Sequence, residues 1–323
     1  MFPRKLKKQS KIKRLILKLL NVYAYNKETL NIENPNYIED TGNLIKFNDK
    51  SFSYTRGYLE LTRKIKKLDI FLRYAPNVNL WNSTKRWKRV IPDIDKETLI
   101  AVCLSSLKNS ILNFLKVNDL EICLHLISDN SYSEFDNNIL KLLKNDKFII
   151  KHHKSKIEGN RGSFLECCDL ADSAEDLIFF IEDDYLFENN CIQEMIFSYS
   201  RISSLLNEDI ILCPTDYNFF YDSLYSTSLF IGKDFKWRIV GETLLTFMFS
   251  QKIYKSYKDR IRLVGEQINQ PFEKPLHNIY KQIKCMAPIN SLSYHLSRSV
   301  PDDKNNWSNI WNQNFSIYKN FKS

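Results

Sequence analysis

Residues 177–190 read LIFFIEDDYLFENN. Five apolar residues, Leu177 to Ile181, run into three consecutive acids, Glu182, Asp183 and Asp184, and the chain then turns polar. An apolar run of this length bounded by polar residues has the form of a buried strand. Two carboxylates about 5 Å apart repel by roughly 3 kcal/mol at an effective dielectric near 20. A strand end gains nothing from such a triplet unless a cation compensates it. The hard divalent ions Mg2+ and Mn2+ take carboxylate oxygens together with phosphate oxygens of a substrate. Zn2+ would need a His/Cys cluster, and none accompanies the triplet in sequence. The alternative is a solvated acidic turn before a helix that starts near Asn189, since carboxylates favour helix N-termini.

Upstream of the triplet, strand-like and helix-like segments alternate. TLIAVCL (98–104) reads as a first strand and SLKNSILNFLKV (106–117) as the helix after it. EICLHLI (121–127) and KFIIKHH (147–153) read as strands on either side of helical SEFDNNILKLLK (133–144). A helix beginning near Asn160 leads back to LIFFIE. This rhythm predicts an α/β fold with a largely parallel sheet, in which ligands gather at the carboxyl ends of strands. A metal at the triplet would neutralise a diphosphate leaving group. On that supposition Asp129, at the end of the second strand, could accept hydrogen bonds from a base or ribose, or could simply shape a turn. In EGNRGSFLECCDLA (158–171), Asn160 and Arg161 lie between Gly159 and Gly162 at a helix start, where backbone N–H groups and an arginine can meet phosphate.

Taken in order, LIAVCLSSL, LHLISDNS, GNRGSFLECCDLA and LIFFIEDDYLF resemble the GT-A glycosyltransferases, particularly the family-2-like group. The resemblance covers residues 98 to about 300, and its most specific element is the acidic triplet. It implies a GT-A, Rossmann-like fold with a mixed, mostly parallel sheet flanked by helices. It also implies a nucleotide-sugar donor, a divalent cation (Mn2+ or Mg2+) and sugar transfer to an acceptor, with inversion. Residues 98–190 would form the nucleotide-sugar half and 191–300 the acceptor half. By the same resemblance Ser105 and Asp129 lie at the donor, Glu182 and Asp183 near ribose or metal, and Asp184 is the principal metal ligand. Three departures stand out. Ser105-Ser106 replaces the usual first loop, the second strand ends Asp-Asn, and the Gln-x-x-Arg-Trp segment of processive synthases is missing, which disfavours a polymerising enzyme.

In the second half, IILCPTDYNFFYDSLYSTSLFIG (210–232) begins as a strand and becomes rich in aromatic residues. Tyr217 and Tyr221 could stack on a sugar ring or pack in the core. KWRIVGETLLTFMFS (236–250) places Trp237, Arg238 and Glu242 ahead of what reads as an apolar helix. A sugar hydroxyl is a poor nucleophile until its proton is taken, so a general base is required. Glu242 is preferred for this role and Asp216 is its rival; Glu242 could equally be a helix cap. By resemblance, His295 in the late polar loop completes the metal shell with Asp184 and Glu182.

The chain has 323 residues and a net charge of +9. Eight cations (Arg4, Lys5, Lys7, Lys8, Lys11, Lys13, Arg14 and Lys18) fall in residues 1–20, which hold no acid. The remainder is close to neutral, so a nucleic-acid partner loses its main support. Lys7, Lys11, Arg14 and Lys18 would share one face of a helix within residues 1–25, opposite Ile12, Leu15, Ile16, Leu19 and Leu20. Such a helix could lie on an anionic membrane or pack on the protein. Residues 26–97 read as a linker and helical extension, and 301–323 as a C-terminal tail. No uninterrupted apolar run reaches the roughly 18–20 residues of a membrane span, and the N-terminus makes a poor secretory signal. The seven cysteines include no CxxC pair, and a reducing cytoplasm suits them best. A cytoplasmic enzyme peripheral to a membrane, glycosylating a glycan or lipid-linked acceptor in cell-surface polysaccharide synthesis, is the expectation. The alternatives are a sugar nucleotidyltransferase, against which the glycine-free first loop counts, and a membrane-associated scaffold with a degenerate pocket.

Overall fold

A computed structural model describes residues 58–77, 91, 94–221, 224–266, 273–296 and 307–322, with the backbone of four earlier strands. In chain order the strands and helices are β1 (Arg4–Lys7), β2 (Leu30–Ile32), β3 (Asn43–Phe47), β4 (Lys50–Tyr54), β5 (Tyr58–Glu60), β6 (Lys67–Tyr74), α1 (Lys96–Leu115), β7 (Glu121–Ser128), α2 (Ser133–Leu143), β8 (Ile149–Lys154), α3 (Asn160–Ala171), β9 (Leu177–Glu182), β10 (Tyr185–Phe187), α4 (Cys191–Leu206), β11 (Ile211–Leu212), β12 (Leu224–Ile231), β13 (Lys236–Val240), β14 (Phe247–Ser250), α5 (Gln251–Glu266), α6 (Lys274–Ile279), β15 (Cys285–Ile289), β16 (Ser293–His295) and α7 (Trp307–Lys322).

The strand–helix rhythm read from the sequence holds for β7, α2, β8, α3, β9 and α4. The first strand does not. TLIAVCL belongs to α1, a 20-residue helix whose N-cap Asp95 accepts from the Thr98 N–H at 2.6 Å. This helix is buried over most of its circumference, between α2, α4, β10 and α7. Burial on all sides erases the helical period, which is why the segment reads as a strand. By length and composition α1 could cross a membrane, but 72% of its apolar window is buried inside the protein. The first strand is instead β6, KLDIFLRY, from the region read as a helical extension. It is covered on both faces, and its Asp69 and Arg73 disguise a continuous apolar run. The main domain therefore takes in chain N-terminal to residue 98.

Among the described residues the main sheet has 11 strands, with β9-β6-β7-β8 parallel throughout and a mixed half continuing from β9 through β14, β11, β15, β13 and β12 to β1. From β6 the chain steps outward to β7 and β8, then returns to place β9 on the other side of β6. The order reverses between β6 and β9, and a crevice opens at the carboxyl ends of strands at such a switch point. Phe71, Phe164, Phe180, Phe247 and Phe249 pack as a chain of ring contacts beneath it.

Three further expectations change. The expected basic helix has Arg4–Lys7 as a strand antiparallel to β12, which removes Lys7 from any helical face; the rest of it lies outside the described residues. Of the expected tail, Trp307–Lys322 is helix α7, which buries Ile310, Trp311, Asn314 and Tyr318 against the body, and its Asn314 accepts from Asn109 of α1 at 2.9 Å. LLTFMFS is not a helix: β14 starts at Phe247, and its rings pack on Phe180. Its consecutive large apolar residues, Phe247 to Phe249, suit a strand buried on both faces. All seven cysteines are buried and free.

Candidate active site at the switch point

The acidic triplet sits at the end of β9, at the reversal. Its charges are compensated one by one. Arg73 is the register partner of Glu182 on the adjacent strand, and its Nη2 donates to Glu182 Oε1 at 2.7 Å. The same guanidinium donates through Nη1 to the Asn160 carbonyl at 2.8 Å and to the Asn160 side-chain oxygen. Asp183 Oδ1 accepts from Lys96 Nζ at 2.5 Å, and its Oδ2 accepts from the Ala75 N–H at 2.9 Å. Both cations are almost completely buried. Burial alone would pull the Lys96 pKa down, but Asp183, and beyond it Asp184, hold it above the ordinary lysine value. Burial pushes the Glu182 carboxyl up, Arg73 opposes this and Asp184 adds to it.

Asp184 is handled differently. Its Oδ2 stands 3.2 Å from His295 Nε2, and both side chains are about nine-tenths buried. The antiparallel pair β10–β16 makes the meeting possible by pairing Tyr185 with His295. The Tyr185 and His295 rings stack at 4.8 Å, and the Leu296 N–H donates to the Asp184 carbonyl at 2.9 Å. The sequence expectation that His295 approaches the triplet thus corresponds to a short carboxylate–imidazole contact. An oxygen and a nitrogen ligand of one ion lie about 3 Å apart when each bond is near 2.1 Å, so this pair suits a divalent cation.

The other expected donor residues are placed as follows. Asp129 directly follows β7, with both carboxylate oxygens accepting from the Gly159 N–H, at 3.1 and 2.9 Å, so it anchors the start of α3. Asn160 is held by Arg73. Arg161 turns away from the triplet, donating to the Gly265 and Glu266 carbonyls at 2.8 and 2.7 Å, where it caps the end of α5. Ser105 is 2% exposed within α1 and stands at no strand end.

Of the expected acceptor residues, Asp216, Tyr221 and Arg238 come together. Arg238 Nη2 donates to Asp216 Oδ1 at 2.6 Å, the Tyr221 hydroxyl donates to Asp216 Oδ2 at 2.7 Å, and the guanidinium lies 4.3 Å from the centre of the Tyr221 ring. Trp237 and Tyr217 go elsewhere. Trp237 is fully buried, with Nε1 donating to Glu194 Oε1 at 3.1 Å, so its ring offers no face to a sugar. Tyr217 is also buried, and its hydroxyl pairs with that of Tyr185 at 2.6 Å. Glu242 is half-buried in the segment joining β13 to β14. Four residues on, Thr246 accepts from the Glu182 N–H at 3.2 Å, which brings this segment beside the triplet.

Arg73 and Lys96 were missed by sequence reasoning. Their signal was a cation near the end of each hidden element: Arg73 one residue from the end of β6, and Lys96 directly after the capping Asp95.

No known family profile and no curated protein sequence matches the chain. Solved structures similar to it include a UDP-glucose pyrophosphorylase complexed with UDP-glucose, at TM-score 0.40 and 13% identity over 77% of this chain and 99% of that one. Residues 1–349 of TarS from S. aureus give 0.44 and 13%, over 77% of this chain and 65% of that one. The glycosyltransferase GlyE of Streptococcus pneumoniae gives 0.42 and 11%, over 78% and 64%. At these scores and identities none of them assigns a substrate or a reaction to this chain.

Proposed function

We propose that the chain is a nucleotide-sugar-dependent glycosyltransferase acting at the crevice between β6 and β9. The observation that carries this reading is the Asp184–His295 pair, 3.2 Å apart at a topological switch point. Asp184 and His295 would hold Mn2+ or Mg2+; Glu182, already paired with Arg73, is not needed as a ligand. A divalent ion bound there supplies neutralising charge for a departing nucleoside diphosphate. Arg73 and Lys96 keep Glu182 and Asp183 in fixed positions, so the mouth of the crevice does not reorganise when the donor enters.

On the acceptor side, both carboxylate oxygens of Asp216 already accept hydrogen bonds, one from Arg238 and one from Tyr221. Glu242 remains the preferred group to take the acceptor proton, on a segment that touches Glu182 through Thr246. Direct displacement of the diphosphate by that hydroxyl inverts the anomeric centre. A glycan or lipid-linked acceptor, and membrane contact through residues 1–20, complete the proposal.

Thermal shift with UDP, GDP and CMP, each with and without Mn2+, tests it. Stabilisation by one nucleoside diphosphate only with the metal, lost in Asp184→Asn and in His295→Ala, is the expected result. Stabilisation only by a nucleoside triphosphate with a sugar phosphate would replace the proposal with nucleotidyl transfer. No response to any nucleotide would overturn both.

A further inference from the structure

On β6 and its neighbour β7, further back along the sheet, lies a second cluster of ligating side chains. Asp69 on β6 and Cys123 on β7 are register partners, and His125 follows two residues along on the same face of β7. All three are at least 95% buried. Their ligating atoms (a carboxylate oxygen, Sγ and an imidazole nitrogen) all lie within 4.8 Å of one another.

We propose that Asp69, Cys123 and His125 form a structural Zn2+ site, separate from the crevice at the acidic triplet. His125 Nε2 stands 3.5 Å from Asp69 Oδ1, beyond the 2.7–3.2 Å of a good N–H···O bond. That separation matches two ligands of one tetrahedral ion, which lie about 3.3–3.8 Å apart when the bonds are about 2.0–2.3 Å. The far side of the ring is also fixed: His125 Nδ1 lies 3.2 Å from His153 Nε2, and the two rings stack at 5.3 Å. In the tautomer with Nδ1–H donating to His153, the Nε2 lone pair turns to Asp69, which is the form a metal-bound imidazole takes. A partner on the second ring nitrogen is what orients a metal-bound imidazole. Phe71 closes the opposite face, stacking on His125 at 4.5 Å.

Mixed nitrogen, oxygen and sulfur ligands favour Zn2+ over Mg2+ or Mn2+. A thiolate and a carboxylate would balance its charge, and the buried Asp69, which accepts from the Glu175 N–H at 3.5 Å, would gain a cation beside it. The ion would fasten β6 to β7, and through His153 would reach β8. Binding replaces the thiol proton of Cys123, which is released to solvent, with a Zn–S bond; nothing is oxidised or reduced.

The full chain, purified without a polyhistidine tag, is stripped with chelator and titrated with Co2+. The expected result is a near-ultraviolet thiolate-to-cobalt charge-transfer band saturating at one ion per chain, displaced by Zn2+ and lost in Cys123→Ser. A band arising instead at Cys103, whose thiol feels Asp184 and Asp183 at the acidic corner, would survive Cys123→Ser. His153→Gln is expected to weaken Zn2+ binding about 10- to 100-fold. Absence of the band in the wild-type chain overturns the proposal whether or not the variants fold, and so does its persistence in Cys123→Ser.

Discussion

Arg73 and Glu182 face each other in register across neighbouring parallel strands, with Nη2 2.7 Å from Oε1. The guanidinium also holds Asn160, so one side chain ties β6, β9 and the first residue of α3 together. Removing one member of a buried ion pair leaves the other charged and without its partner. Glu182 is 22% exposed, so Arg73→Met should cost less than the 3–5 kcal/mol of a fully enclosed pair, about 2–3 kcal/mol. Denaturant unfolding checks this. The double variant Arg73→Met/Glu182→Met should recover much of the loss, and a double variant no better than the single would show that the cost lies in packing.

Lys96→Met should expose the same logic at the neighbouring acid. It strips Asp183 Oδ1 of its cation while leaving the Ala75 N–H on Oδ2. We expect a loss of roughly 3 kcal/mol, largely relieved in Lys96→Met/Asp183→Asn. A change below about 0.5 kcal/mol, the range of ordinary surface substitutions, would mean that water reaches Asp183 freely.

Trp237→Ala should act on stability. The ring is fully buried and its N–H serves Glu194, which also accepts from the Ser198 hydroxyl and from the Lys233 and Asp234 N–H groups. A loss of about 3–5 kcal/mol is expected. Trp237→Phe, which keeps most of the volume, should leave acceptor KM unchanged; a raised acceptor KM at wild-type stability would return Trp237 to the binding surface.

Gly159 has φ +93° and ψ 166°, a conformation that side-chain-bearing residues avoid, and its N–H serves both oxygens of Asp129. There is open space around a Cβ at this position, so Gly159→Ala isolates backbone strain. We expect about 1–3 kcal/mol of destabilisation. A melting curve superimposable on wild type would show that the turn relaxes.

Glu188 provides a pH test. Burial pushes its carboxyl above the ordinary value, although the Tyr294 hydroxyl, donating at 2.6 Å, opposes the shift. A carboxyl raised on folding contributes stability that is complete below the unfolded value of about 4.3 and disappears as pH rises through the folded value. Glu188→Gln keeps an acceptor for Tyr294 without the charge. Its melting temperature relative to wild type should therefore be higher at pH 7 than at pH 4, and an equal difference at both pH values would remove the burial cost.

Much of the parallel half was legible because β7 and β9 are short apolar runs with helical segments between them. The two elements flanking the crevice were exchanged for a shared reason. In α1 nearly every side chain is covered, so the helical period disappears; in β6 the buried Asp69 and Arg73 mimic a polar face. Neighbours distant in sequence surround both residues: His125 and the Glu175 N–H lie beside Asp69, and Glu182 with Asn160 accept from Arg73. Asp184 and His295 could be brought together from sequence only through the fold-level resemblance. Trp237 could not be placed, because a buried indole with a hydrogen-bond partner and an exposed stacking indole look alike along the chain.

The ribbon of β10 and β16 makes one late segment indispensable. Asp184 is synthesised long before the imidazole that meets it, and that imidazole arrives only when the chain has been made through Ser293–His295. A polypeptide stalled or clipped upstream of that point would keep every acid of the triplet and still lack half of the candidate cation clasp.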